Sequence, residues 1–172
     1  SLSFPLDGQF VTYLGWLIPW GTPVTLLGAT VDAVAEAQRE LVRIGIDRPA
    51  AGAVGDPRDW AGGGPLASYR RASFAELTRT LAGADAPAVL DVRRNEERAT
   101  GHVPGSIHIP LHELLDRLDE VPAGPVWVHC AAGYRASIAA SFLDAAGRSL
   151  VAVDDQFENA VKVGLDVVGP EA

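Results

Sequence analysis

The sequence predicts an α/β fold in which a parallel sheet is covered by helices on both faces. Three observations predict it. Short apolar runs suited to buried strands alternate with helical segments along most of the chain. Helix starts carry capping residues (Thr30, Ser73), and helix ends carry glycine (Gly45, Gly147). The run Val126–His129 passes through Cys130 and a glycine-containing loop into a helix, as a strand does when it feeds a crossover.

Ser1 to Leu6 alternates around Phe4-Pro5 and suits a short strand. Phe10, Tyr13, Trp16 and Trp20 follow at spacings of three and four, one face of a short helix. They read as a binding surface or as packing against a neighbouring domain, with packing favoured. Val24 to Leu27 is a strand, Thr30 to Ile44 a strongly periodic helix, and Ala50 to Val54 another strand. Asp56 to Leu66, DPRDWAGGGPL, reads as a linker.

A new unit then starts at Ser73, which caps a helix over Phe74 to Leu81 with Glu76 completing a capping box. Ala88 to Val92 is a strand and Asn95 to Ala99 a polar helical turn. Ser106 to Ile109 is a strand, Leu111 to Leu118 a short amphipathic helix, and Val126 to His129 the central strand. Tyr134 to Ala146 is a helix, Ser149 to Val153 the last strand, and Asp155 to Val163 a terminal helix. The expected organisation is residues 1–60, a linker over 61–72, and a second unit over 73–168.

The chain has 172 residues, 48% of them hydrophobic, so a packed core is feasible. Its net charge of −8 argues against a nucleic-acid partner, which needs a basic face. The apolar run Leu14 to Trp20 is short and broken by Pro19, so no membrane span is expected. A single cysteine permits no internal disulfide and is compatible with a reducing cytosol, hence a cytoplasmic expectation. Methionine is absent, so Ser1 reads as the start of a fragment or a processed chain.

Cys130 has a bland reading, a small buried hydrophobe, and a chemical one. A thiol at the carboxyl end of a strand faces the amino terminus of the next helix. Backbone N–H groups and the helix dipole there favour an anion, and the same field favours the thiolate. Gly133 permits a tight loop, and Arg135 follows at the mouth of the helix. Together with LDVRRNEERATGHVPGSIHIPLHEL (Leu90 to Leu114), the stretch VWVHCAAGYRA resembles the rhodanese family of sulfurtransferases over roughly residues 73–168. The ordered Asp-Val-Arg, Gly-His-Val-Pro-Gly and Cys-x-x-Gly-x-Arg elements carry that resemblance.

The first segment mirrors part of the second. SLSFPL at Ser1 mirrors SIHIPL at Ser106, and the segment from Pro23 mirrors that from Pro125, placing Gly28 where Cys130 stands. Residues 1–60 therefore resemble an incomplete rhodanese-like half-domain without a nucleophile, whose first half would lie upstream of Ser1. That half would expose a strand edge, so a homodimer or an exchanged segment is an expectation. The phrases VDDQFENAVKVGL, FVTYLGWLIPW and RIGIDRPA resemble proteins that fuse a metallo-β-lactamase-fold hydrolase domain to rhodanese modules. Members of that group with a metal centre carry a His-x-His-x-Asp-His cluster. This chain has no such run, and its four histidines (102, 108, 112 and 129) fall within the second unit, so neither metal nor cofactor is expected.

The resemblance implies that Cys130 takes sulfur from thiosulfate or a low-molecular-weight persulfide and yields it to a thiol or cyanide acceptor. The amides of Ala131, Ala132, Gly133, Tyr134, Arg135 and Ala136 would cradle the charged group, with Tyr134 at the rim. Arg135 either faces the substrate anion or pairs with Asp91 or Glu97 to brace the loop, and the bracing reading is favoured. Asp91 would brace loops. Arg93 and Arg94 would supply a positive field, or one would be a solvated charge. His102 would fix a turn, and His129 reads as a satisfied core histidine. Four residues separate Cys130 from Arg135, where the related Cys-dependent phosphatases use five, so phosphatase chemistry ranks lower. A persulfide-relay or interaction module is the non-turnover alternative.

Overall fold

Residues 1–169 are described by a computed structural model, and they divide into two units, Phe4–Ser68 and the region from Tyr69 onward grouped with Ser1–Ser3. The first unit runs α1 (Phe10–Leu17), β1 (Thr25–Gly28), α2 (Val31–Val42), β2 (Ala51–Val54) and α3 (Pro57–Trp60). β1 and β2 are parallel, with Thr25 opposite Ala51 and Gly28 opposite Val54. α2 starts where Thr30 Oγ1 accepts the Ala33 N–H at 3.1 Å. Phe10, Leu14, Leu26, Ala37 and Leu41 form its small core.

Two expectations fail in this region. Ser1 to Leu6 is not a strand, because an extended segment becomes one only when a ladder partner takes its backbone groups, and no described strand pairs with it. The stretch read as linker contains α3, started by a reciprocal cap. Asp56 accepts the Arg58 N–H at 2.9 Å, and Asp59 accepts the Asp56 N–H at 3.0 Å.

The second unit runs β3 (Arg70–Ala72), α4 (Phe74–Leu81), β4 (Ala88–Asp91), α5 (Asn95–Ala99), β5 (Ile107–His108), β6 (Val126–His129), α6 (Tyr134–Ala145), β7 (Leu150–Val153) and α7 (Glu158–Lys162). Its five strands lie in the order β3-β7-β6-β4-β5, every pair parallel. β6 is central and buried at all four positions. Strand alternation sends Trp127 to one face, where it joins Phe74, Leu77, Val153 and Ala160 under α4 and α7. α6 packs on β6 and β7 from the other face, burying Ile138, Ala139 and Leu143. The capping box at Ser73 forms, with Glu76 Oε2 accepting the Ser73 N–H at 3.0 Å.

Two corrections apply here as well. Arg70–Ala72, expected within a linker, is the edge strand β3, which pairs with β7 (Arg71 opposite Ala152). Its two arginines hide it from any hydrophobic pattern, and edge strands tolerate charge. Leu111 to Leu118 is not one helix but part of a chain bearing two single 3-10 turns, Leu111–Glu113 and Leu118–Glu120. The Leu111 N–H bonds the Val92 carbonyl at 3.2 Å, and Leu111, Leu114 and Val121 all bury, so the chain follows the sheet instead of a single axis.

Candidate active site

Cys130 follows the last residue of β6 and lies 1% exposed at the carboxyl edge of the sheet, where open parallel sheets place their ligand crevices. Ala131 and Tyr134 are half-buried, Ala132 is exposed, and Gly133, Arg135 and Ala136 are buried. α6 begins at Tyr134, so its amino-terminal turn adjoins the loop. The Ala131 carbonyl accepts the Phe157 N–H at 2.8 Å, tying the loop to the segment before α7. Gly133 sits at φ 83°, in the left-handed region that favours glycine. A Cβ there would also lie 3.3 Å from Asp154 Cα and 3.4 Å from its Cγ, in contact with the Asp154 carboxylate.

Arg135 pairs with Glu97 and not with Asp91. Its Nη1 and Nη2 donate to the two Glu97 carboxylate oxygens at 2.5 and 2.7 Å. Glu97 Oε2 also accepts the Arg94 N–H at 3.2 Å, so one carboxylate starts α5 and holds the loop arginine. The Arg135 hydrogen bonds hold the Glu97 carboxyl below the usual carboxylate range.

Asp91 and Arg93 form a separate buried pair. Arg93 Nη2 meets Asp91 Oδ2 at 2.7 Å, and the two side chains are 3% and 0% exposed. Arg93 Nη2 also donates to the Gly101 carbonyl at 2.8 Å, and the guanidinium lies 3.7 Å over the Phe157 ring. The expectation that Arg93 supplies a field for substrate is therefore corrected: Asp91, Gly101 and Phe157 enclose it. Burial, the largest single effect, would raise the Asp91 carboxyl, and the Arg93 hydrogen bonds together with the charges of Arg93 and His129 outweigh it and leave it low. Arg94 is exposed beside α5.

His129 is fully buried, stacked on Phe157 with ring centroids 5.4 Å apart and edge-on to Phe74 at 5.5 Å. It lies on the α4–α7 face of the sheet, as strand alternation predicts. It is not a satisfied histidine, however. Neither ring nitrogen makes a hydrogen bond of acceptable geometry among the described residues. The polar groups beside it are the Asp91 carboxylate at 3.9 Å and the Cys130 backbone. Burial pushes its pKa down to about 4, against a smaller upward pull from Asp91. The His102 backbone forms a two-way bridge with Val168, both bonds 2.9 Å, which fixes the turn.

Two residues of this neighbourhood escape the sequence reading. Asp154 follows β7 and lies against Gly133, and Arg71 on β3 is ion-paired to it. The signal for Asp154 was an acid directly after the last strand, at the same edge as Cys130. In the first unit, a Cβ at Gly28, the residue that the sequence mirror sets against Cys130, would come within 2.7 Å of Val34 Cγ2. Among the described residues, no cluster of three or more His, Cys, Asp or Glu side chains is arranged to hold a metal ion. No described helix is long and apolar enough to cross a membrane.

The chain resembles several known proteins. A rhodanese-related protein from Thermoplasma volcanium has a solved structure that matches with a TM-score of 0.53 and 32% identity, over 58% of this chain and 98% of that one. The HTH-type transcriptional regulator Rv0324 of Mycobacterium tuberculosis is 33% identical over 78% of this chain and 54% of its own length. YrkF of Bacillus subtilis, named as a candidate sulfur carrier protein, is 40% identical over 30% of this chain and 29% of its own length. The chain thus spans about half, and less than a third, of the two curated relatives. The Rhodanese-like domain family matches residues 73–161, covering the Asp91 strand, the Glu97 helix and the Cys130 loop, and the chain belongs to that family.

Proposed function

We propose that the second unit is a sulfurtransferase that carries sulfane sulfur as a Cys130 persulfide. The observation that carries this reading is the Cys130–Arg135 loop. Its thiol adjoins the amino terminus of α6, and its arginine is locked to Glu97 and so braces the loop. In the first half-reaction, Cys130 thiolate attacks the outer sulfur of thiosulfate. The sulfur–sulfur bond breaks, and sulfite leaves with the electron pair. A low-molecular-weight persulfide donor would release its thiolate in the same way. In the second, a thiolate or cyanide attacks the outer sulfur of the persulfide and regenerates Cys130 thiolate. The helix terminus and the loop amides favour the anionic species in both steps.

Likeness to a candidate sulfur carrier favours a second reading, in which the persulfide is relayed to a partner protein with little turnover on free thiosulfate. The link to a metallo-β-lactamase-fold domain rests on sequence resemblance alone.

Intact mass after incubation with thiosulfate, beside Cys130→Ser, tests the proposal. A gain of one sulfur, ~32 Da, in the cysteine protein alone is the expected result. Rapid thiocyanate formation with cyanide then marks an enzyme, and slow formation marks a relay. No adduct from thiosulfate or glutathione persulfide removes the sulfur-carrier reading and favours a phosphatase or binding role.

A further inference from the structure

Arg71 occupies an unusual position for an exposed charge. It is the middle residue of β3, opposite Ala152, on a strand two places from β6 whose carboxyl end lies at the same edge of the sheet as the Cys130 loop. Two strand spacings are about 10 Å, and the arginine side chain extends inward across part of that distance to Asp154. Alternation along β3 separates neighbours. Arg70 lies over Trp127 on the α4–α7 face, whereas Tyr69 reaches the Ser137 carbonyl of α6 at 3.4 Å. Arg71 shares the Tyr69 face, the side on which α6 and the loop lie. Asp154 in turn lies against Gly133 of the loop.

The pair is a poor structural clamp. The Arg71 and Asp154 side chains are 69% and 43% exposed, and exposed ion pairs contribute little to stability. Only Nη2 of Arg71 is engaged by Asp154, so other donors of its five-donor fork face solvent. Asp154 places the guanidinium beside the Cys130 loop, since Asp154 itself lies against Gly133. A carboxylate arriving on a small thiol can share that fork at little cost.

We propose that Arg71, positioned by Asp154, is a docking cation for the carboxylate of a low-molecular-weight thiol or persulfide, and so biases this site toward carboxylate-bearing sulfur carriers. This deepens the sulfur-transfer reading and rests on it for turnover.

The test compares wild type, Arg71→Ala and Arg71→Lys. Glutathione and cysteamine serve as acceptors from the thiosulfate-loaded protein, and calorimetry measures binding of S-methylglutathione and S-methylcysteamine. The expected result for Arg71→Ala is a rise of about 5-fold in the glutathione KM, the size of one exposed charge contact. Its kcat and its cysteamine KM should be unchanged, and lysine should recover part of the loss. S-methylglutathione binding should weaken in parallel. An equal change for both thiols, or no change for either, overturns the proposal. The binding arm does not depend on sulfur transfer. If wild type takes up no sulfur, the transfer reading fails by itself, and the docking site then stands or falls on whether Arg71→Ala selectively weakens S-methylglutathione.

Discussion

Arg135 and Glu97, 38 residues apart in sequence, are joined by two charge-assisted hydrogen bonds that close the Cys130 loop onto α5. The planar fork fits the carboxylate at both oxygens, a geometry lysine cannot reproduce. Arg135→Lys should therefore behave like a loss of the pair. Glu97→Gln should lower stability by about 1–3 kcal/mol, read from the urea midpoint, and should slow Cys130 persulfidation. A variant that loads sulfur at the wild-type rate would show that the brace is dispensable.

Removing one member of the buried Asp91–Arg93 pair leaves an uncompensated charge beneath the sheet edge. Asp91→Ala should cost about 3–5 kcal/mol, more than Glu97→Gln, because Asp91 and Arg93 are almost fully enclosed. Chemical denaturation of both variants ranks the two pairs. The reverse ranking would contradict the burial argument.

Gly133→Ala meets two obstacles at once. Its φ of 83° costs an alanine about 1–2 kcal/mol, and the new methyl collides with Asp154. Gly133→Ala in an Asp154→Ala background should recover the steric part alone. A double-mutant cycle with no coupling between the two positions would refute the contact.

The buried His129 makes stability depend on mildly acidic pH. Its folded pKa, about 4, lies below the ordinary value of 6.5, so the unfolded chain binds the extra proton first. The stability tied to neutral His129 is fully present above pH 6.5 and is lost as pH falls toward 4. The full loss is on the order of 3 kcal/mol. The low carboxyls of Asp91 and Glu97 act in the same direction, with loss lower on the pH scale, as pH falls through their depressed folded values. Unfolding free energies of wild type and His129→Phe between pH 7 and 4 test this. Parallel curves across that range would sink it.

Local chemistry was legible in the chain. Ser73 and Glu76 sit at the spacing of a capping box, and α4 begins where that spacing requires, since the box needs no distant partner. β6 and α6 were equally plain, because four apolar-to-His positions followed by a glycine loop and a helical run are properties of neighbouring residues. The family resemblance rests on such short elements, and the match over residues 73–161 follows them.

What needed the folded chain was pairing. Ser1 to Leu6 has an alternating pattern but no ladder partner, whereas Arg70–Ala72 has no apolar pattern and forms a strand because β7 offers an edge. The choice of Glu97 over Asp91 by Arg135 was open in the sequence. It was closed by Arg93, which takes Asp91 from two residues away and buries with it. Asp154 meets Gly133, and Arg71 meets Asp154, only because parallel strands bring their carboxyl ends to one edge. Periodicity and capping act over a few residues and can be read along a line. Ion-pair partners, edge strands and burial depend on which segments become neighbours, and sheet order sets that.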